Sequence, residues 1–131
     1  MWPFVYFENI GAQDMNNTQS LKLNKEFKRL YYRGKSYANS YLIIYFLKNW
    51  YNPDEKRLGI TVNKKIGKAV KRNYIRRRIK EAYRLFEIEI NDGYDIVFVA
   101  RKRLLLSEYS EYVSAMWDLL KKASLLKKRC L

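Results

Sequence analysis

Residues 67–84 read GKAVKRNYIRRRIKEAYR, and the conformation of this stretch decides how the rest of the chain is arranged. At 3.6 residues per turn, Ile75, Ile79, Ala82 and Phe86 recur at i, i+4, i+7 and i+11 and make one apolar stripe. Asn73, Arg76, Arg77, Lys80 and Arg84 fall on another sector. The spacing predicts an amphipathic helix from about Ala69 that packs its stripe inward and turns its cations outward. From Lys64 to Arg84 the only acid is Glu81. Like-charged neighbours therefore repel by up to roughly 0.2–0.5 kcal/mol per pair in the free protein. A solvated helix face usually interleaves acids, whereas this one is suited to a polyanion. Guanidinium forks match phosphate oxygens in pairs and stack on bases, which favours nucleic acid as that partner. A membrane-surface helix is the weaker reading, because its stripe would enter lipid when it is needed to cover a small sheet.

Working outward, residues 1–19 end in the polar GAQDMNNTQ and read as a loosely ordered tail, with Met15 an alternative start. Residues 20–126 are expected to form a single RNA-binding domain, and 127–131 a basic end. Asn24 is placed to cap a short helix with Phe27, Leu30 and Tyr31 on its apolar stripe and Gly34 at its close. The YLIIYFL run at 41–47, the turn-like Asn52-Pro53-Asp54 and LGITVN at 58–63 read as a β-hairpin. After the basic helix, Asn91-Asp92-Gly93 marks a stop before a third strand, YDIVFVA, at 94–100. Ser107 is a candidate N-cap for a last helix carrying Tyr112, Met116, Leu120 and Ala123 at helical spacing. The expected order is αββαβα, an α+β or α/β two-layer arrangement in which helices cover a small sheet.

Composition narrows the function. The 131 residues and 48% hydrophobic content suffice for one core, and the net charge of +14 favours polyanionic partners. No run approaches the ~20 apolar residues of a membrane span, and the opening WPFVYF lacks a basic leader, so no membrane role and a cytoplasmic location are expected. Cys130 is the only cysteine, which leaves no intrachain disulfide or thiolate metal site. There is no histidine, no clustered carboxylate set, no glycine-rich phosphate loop and no nucleophile with a base. These absences point to a binder with no catalytic side chain, no protein-held metal or cofactor and no small-molecule substrate. Phe27, Tyr31 and Tyr45 could stack unpaired bases beside the basic stripe. Their spacing alone favours core packing, because Phe27 and Tyr31 sit at i, i+4 on an amphipathic helix and Tyr45 lies in a strand.

The stretch VNKKIGKAVKRNYIRRRIKEAYR at 62–84 resembles the signature of the bacterial ribonuclease P protein component. KEFKRLYYRGK at 25–35 is similar to that family's first helix and its glycine. Ala38 to Leu47 is similar to its first strand, and GYDIVFVARK at 93–102 to its third. The resemblance implies a protein subunit that helps a catalytic RNA remove 5′ leaders from precursor tRNA, with magnesium serving the RNA-catalysed step. The basic helix and its approach are expected to contact RNA through Lys64, Lys65, Lys68, Arg72, Asn73, Arg76, Arg77, Lys80 and Arg84, and the resemblance implies that Asn73, Arg76 and Lys80 lie near the precursor leader and the catalytic RNA. It also implies a leader-binding cleft lined by Phe27, Tyr31 and Tyr45, which reverses the ranking from spacing. The family's RNR motif corresponds to Arg72-Asn73-Tyr74, so Tyr74 stands where arginine is usual. Lys80 likewise replaces a usual arginine, and Arg78 adds a cation where an apolar residue is common. The resemblance further implies a left-handed crossover through the basic helix, against the right-handed rule for strand–helix–strand units. The rival readings are a ribosomal or other structured-RNA scaffold protein and, against the missing acid–base groups, a nuclease in its own right.

Overall fold

The computed structural model describes residues 18–127; most of the N-terminal tail, including WPFVYF and Met15, and Cys130 lie outside them. The elements in chain order are β1 (Thr18–Ser20), α1 (Asn24–Arg33), β2 (Lys35–Ala38), β3 (Leu42–Lys48), β4 (Lys56–Thr61), α2 (Ala69–Phe86), β5 (Tyr94–Ala100) and α3 (Tyr109–Lys122). All six elements read from the sequence are present, with two further strands. The five strands form one mixed sheet in the order β1-β4-β5-β3-β2. β4 pairs in parallel with β1 and β5, and β3 pairs antiparallel with β5 and β2.

That order corrects the expected hairpin. β3 and β4 are not neighbours, because β5 lies between them. The reason is the composition of β5: Ile96, Val97 and Phe98 are consecutive and all fully buried, so both faces must be covered, which a central strand satisfies. Asn52-Pro53-Asp54 belongs to a loop that steps over the end of β5. Asn49 organises that loop by accepting the Tyr51 and Asn52 N–H groups. Gly93 supports it from the other side; its φ of +84° suits glycine, and a Cβ there would stand 2.9 Å from the Pro53 carbonyl oxygen. The hairpin that does form joins β2 to β3, with Asn39 Oδ1 accepting from the Tyr41 and Leu42 N–H groups.

Alternation along β5 assigns its two faces. Ile96, Phe98 and Ala100 join Leu42, Ile44, Leu58 and the inner faces of α2 and α3 in the main core. Within α2, Ile75, Ile79 and Ala82 are buried as the periodicity predicts, and Phe86 packs at the margin against Trp117. Val97 and Val99 point the other way, where Leu21, Phe27, Leu30 and Tyr45 complete a smaller cluster under α1. The connection from β4 through α2 to β5 joins parallel neighbours, and it is this connection to which the family resemblance assigns a left-handed sense.

Three local boundaries differ from expectation. Thr18 and Gln19, read as tail, are strand, and Thr18 is held at the sheet edge by Tyr83 and Glu87. The N-cap of α1 is Leu23, not Asn24; the Glu26 carboxylate accepts the Leu23 N–H at 3.0 Å and so serves the exposed helix end from within its first turn. Ser107 instead donates to the Arg103 carbonyl at 2.7 Å, and α3 starts one residue later, with Glu108 and Glu111 making a capping box.

A charged network ties α1 to the sheet. Arg57 on β4 spans Asp95 with two bonds, of 2.9 and 2.7 Å, and also pairs with Glu26 on α1. Asn49 donates to the same Asp95 at 3.1 Å. Asp95 is almost fully buried, and this fork of donors satisfies its carboxylate oxygens there.

Candidate nucleic-acid interface

At the C-terminal end of β4, between α1 and the Arg76 side chain of α2, lies a groove of about 380 Å³ lined by Asn24, Phe27, Lys28, Tyr31, Ile60, Thr61, Val62 and Arg76. The lining has no carboxylate. Phe27 forms the floor, half-buried against Gly59. A Cβ at position 59 would stand 2.6 Å from the Phe27 ring, so the absence of a side chain there lets the ring lie against the backbone of β4. Tyr31 stands above, 39% exposed yet fixed at two points. Its ring meets Tyr45 edge-on, with centroids 4.8 Å apart and planes at 76°, and its hydroxyl is 2.9 Å from that of Thr61. An exposed ring so held has given up its rotamer freedom before any base arrives.

Across the groove, Arg76 brings the charge. Its guanidinium donates to Asn73 Oδ1 at 2.9 Å, so these two residues of the basic stripe act together. The remaining cations lie along α2 and its approach. Lys64, Lys65 and Lys68 are exposed before the helix, where the Asn63 side chain accepts the Lys65 N–H. Arg72 is half-buried and donates to the Gly67 carbonyl at 3.2 Å. Arg77 and Lys80 are half-exposed along the stripe. Arg84 is committed to the buried Glu81 at 2.6 Å, so its charge is largely answered within the protein.

The structure thus gathers Phe27, Tyr31 and Arg76 in one groove, with Tyr45 backing Tyr31 from below. It leaves Lys64, Lys65, Lys68, Lys80 and Arg84 along α2 and its approach rather than in the groove lining. Sequence reasoning missed Lys28, Asn24 and Thr61. The first two were within reach, since Asn24, Phe27, Lys28 and Tyr31 share a helical face at i, i+3, i+4 and i+7. Thr61 was not, because its place depends on where β4 lies under α1. Among the described residues no group of three or more His, Cys, Asp or Glu side chains could hold a metal ion. No helix among them is long and apolar enough to cross a membrane.

Gly59→Ala tests the floor. The added methyl must displace the Phe27 ring, and an overpacked site of this kind costs about 1–3 kcal/mol of folding stability. A denaturant melt should show that loss, and Gly59→Ala combined with Phe27→Leu should recover part of it. Full stability in Gly59→Ala alone would mean that the ring does not rest there.

Residues 15–124 match the family model described as Ribonuclease P. The chain is 55% identical over 89 residues to the ribonuclease P protein component of Clostridioides difficile, covering 67% of this chain and 76% of that one. It is 47% identical over 106 residues to that of Clostridium botulinum, covering 80% and 94%. Among solved structures, the Staphylococcus aureus RNase P protein superposes with a TM-score of 0.76 at 33% identity, over 82% of this chain and 97% of that one. The Thermotoga maritima protein gives 0.72 at 34% identity, over 79% and 96%.

Proposed function

The chain belongs to the ribonuclease P protein family, and from that premise we propose that it is the protein subunit of a ribonucleoprotein endonuclease that removes 5′ leaders from precursor tRNA. The bond-breaking step is assigned to an RNA subunit with its magnesium ions, and the protein to holding substrate and RNA together in the cytoplasm. The observation that carries this reading is the acid-free groove in which a fixed, exposed Tyr31 faces Arg76. An aromatic platform beside a guanidinium accommodates unpaired nucleotides, because every base has a stacking face and every phosphate a charge. A leader is single-stranded, whereas the body of tRNA is not.

In this reading Tyr31 stacks a leader base, Phe27 and Tyr45 support it, and Arg76 with Lys28 neutralises adjacent phosphates. Lys64, Lys65, Lys68, Arg72, Asn73, Arg77 and Lys80 extend the contact along α2 toward the RNA subunit. A structured-RNA scaffold protein would share the charge, but it has less use for a groove built around a single exposed ring.

Affinity for precursor and for mature tRNA, measured on the same reconstituted complex, tests the groove. Tyr31→Ala should weaken precursor binding by about 1–3 kcal/mol and leave mature tRNA nearly unaffected. Its thermal stability should fall only modestly, since Tyr31 is exposed. A variant that melts early yet keeps the wild-type precursor-to-mature ratio would return Tyr31 to a purely structural role.

A further inference from the structure

Tyr74 and Arg78 lie one turn apart on α2. The structure joins them. The Arg78 guanidinium lies over the Tyr74 ring, 4.9 Å from its centroid, and donates to the Tyr74 hydroxyl. A second ring, that of Tyr109 at the start of α3, is 5.5 Å from the same guanidinium. Burial pushes the Tyr109 hydroxyl up to about 12, so that ring is a neutral phenol at physiological pH. No carboxylate of the described residues pairs with Arg78, which is half-exposed and keeps N–H donors beyond the one given to Tyr74.

We propose that Tyr74, Arg78 and Tyr109 form one composite phosphate-binding element, in which two rings hold the Arg78 fork for a backbone phosphate of the RNA subunit. The two ring contacts and the hydrogen bond to Tyr74 restrain the guanidinium and leave further N–H donors for a bidentate contact, which a lysine would make only as a point charge.

The position on the helix identifies the RNA. At about 100° per residue, Arg78 lies about 160° around α2 from Arg76, on the flank toward α3 and away from the groove. A single strand seated in the groove would have to wrap a cylinder about 10–12 Å across to touch both. A structured RNA that straddles α2 reaches both flanks at once. This inference rests on the RNA-binding reading above, and the test separates the two.

The experiment is a salt titration of binding to the catalytic RNA alone, with precursor and mature tRNA as separate arms. Arg78→Ala should weaken binding to the catalytic RNA about tenfold and flatten the log–log salt slope by about one phosphate contact, roughly 0.7–0.9. The precursor-to-mature preference should stay at the wild-type value. Moving the cation one turn back along α2, as Tyr74→Arg with Arg78→Ala, should recover part of the affinity and slope. Arg78→Lys keeps charge without the planar fork and should fall between wild type and Arg78→Ala; it also serves if Arg78→Ala folds poorly. Wild-type affinity and slope in both Arg78 variants would overturn the element while leaving the groove reading intact, and a defect confined to the precursor arm would assign Arg78 to the leader instead. A wild-type protein that fails to bind the catalytic RNA would remove both readings.

Discussion

Arg57→Ala is expected to destabilise the protein by about 3 kcal/mol, the scale for removing one partner of a buried ion pair. The loss comes from what is left behind. Asp95 is 3% exposed and would keep only the Asn49 amide as a side-chain donor, while Glu26 would lose its tie to the sheet. For a domain of this size the melting temperature should fall on the order of 10–20 °C. Arg57→Lys should lie between, because an ammonium meets one carboxylate oxygen well but does not span Asp95 and reach Glu26 together. The pH response offers an internal check. The Leu23 N–H, followed by Lys22 and Arg57, holds the Glu26 carboxyl below its ordinary value of 4.5 against the opposing effect of burial. A lowered carboxylate contributes stability that is complete above the ordinary value and is lost as pH falls through the lowered one. That acid-side loss should be smaller in Arg57→Ala. A change of only a degree or two in melting temperature would show that water replaces the guanidinium around Asp95. The variant also bears on function, since Arg57 ties the N-terminal turn of α1 to the sheet and so helps place Phe27 and Tyr31 in the groove.

Much of this architecture was legible in the chain because its strongest signals are local. The period of α2 placed Ile75, Ile79 and Ala82 inward and Arg76 and Lys80 outward, and the boundaries of β5 follow directly from the YDIVFVA run. The failures share a physical cause. Parallel pairing leaves no turn signature, so nothing near residue 41 or 58 announces that β5, more than thirty residues downstream of β4's start, inserts between the two strands. The uninterrupted apolar character of β5 was the available clue, since an edge strand does not need to be buried on both faces. β1 is three residues of Thr, Gln and Ser, and only its parallel contact with β4 makes it a strand. The caps of α1 and α3 moved by one residue because Glu26 and Glu111 reach back from the first turn, a longer interaction than the side chain of a conventional cap makes. At the site, the basic stripe was visible and the groove was not, because its far wall is Thr61 and its floor depends on a glycine in β4 that reveals its purpose only beneath Phe27.

The second large effect concerns the reaction as a whole. In the proposed reading, the dense cationic surface on α2 would stand in for the counterions that two polyanionic RNAs would otherwise have to gather between them. The benefit should therefore be greatest where magnesium is scarce, and it should require a leader long enough to reach the groove. The decisive measurement is cleavage of precursor tRNA by the host's catalytic RNA across a magnesium titration, with and without this protein, alongside the protein with all RNA removed. The account predicts no cleavage by the protein alone, about tenfold or greater stimulation of the catalytic RNA at low magnesium, and convergence of the two curves as magnesium rises. Superimposable curves throughout, or leader cleavage by the RNA-free protein, would contradict it.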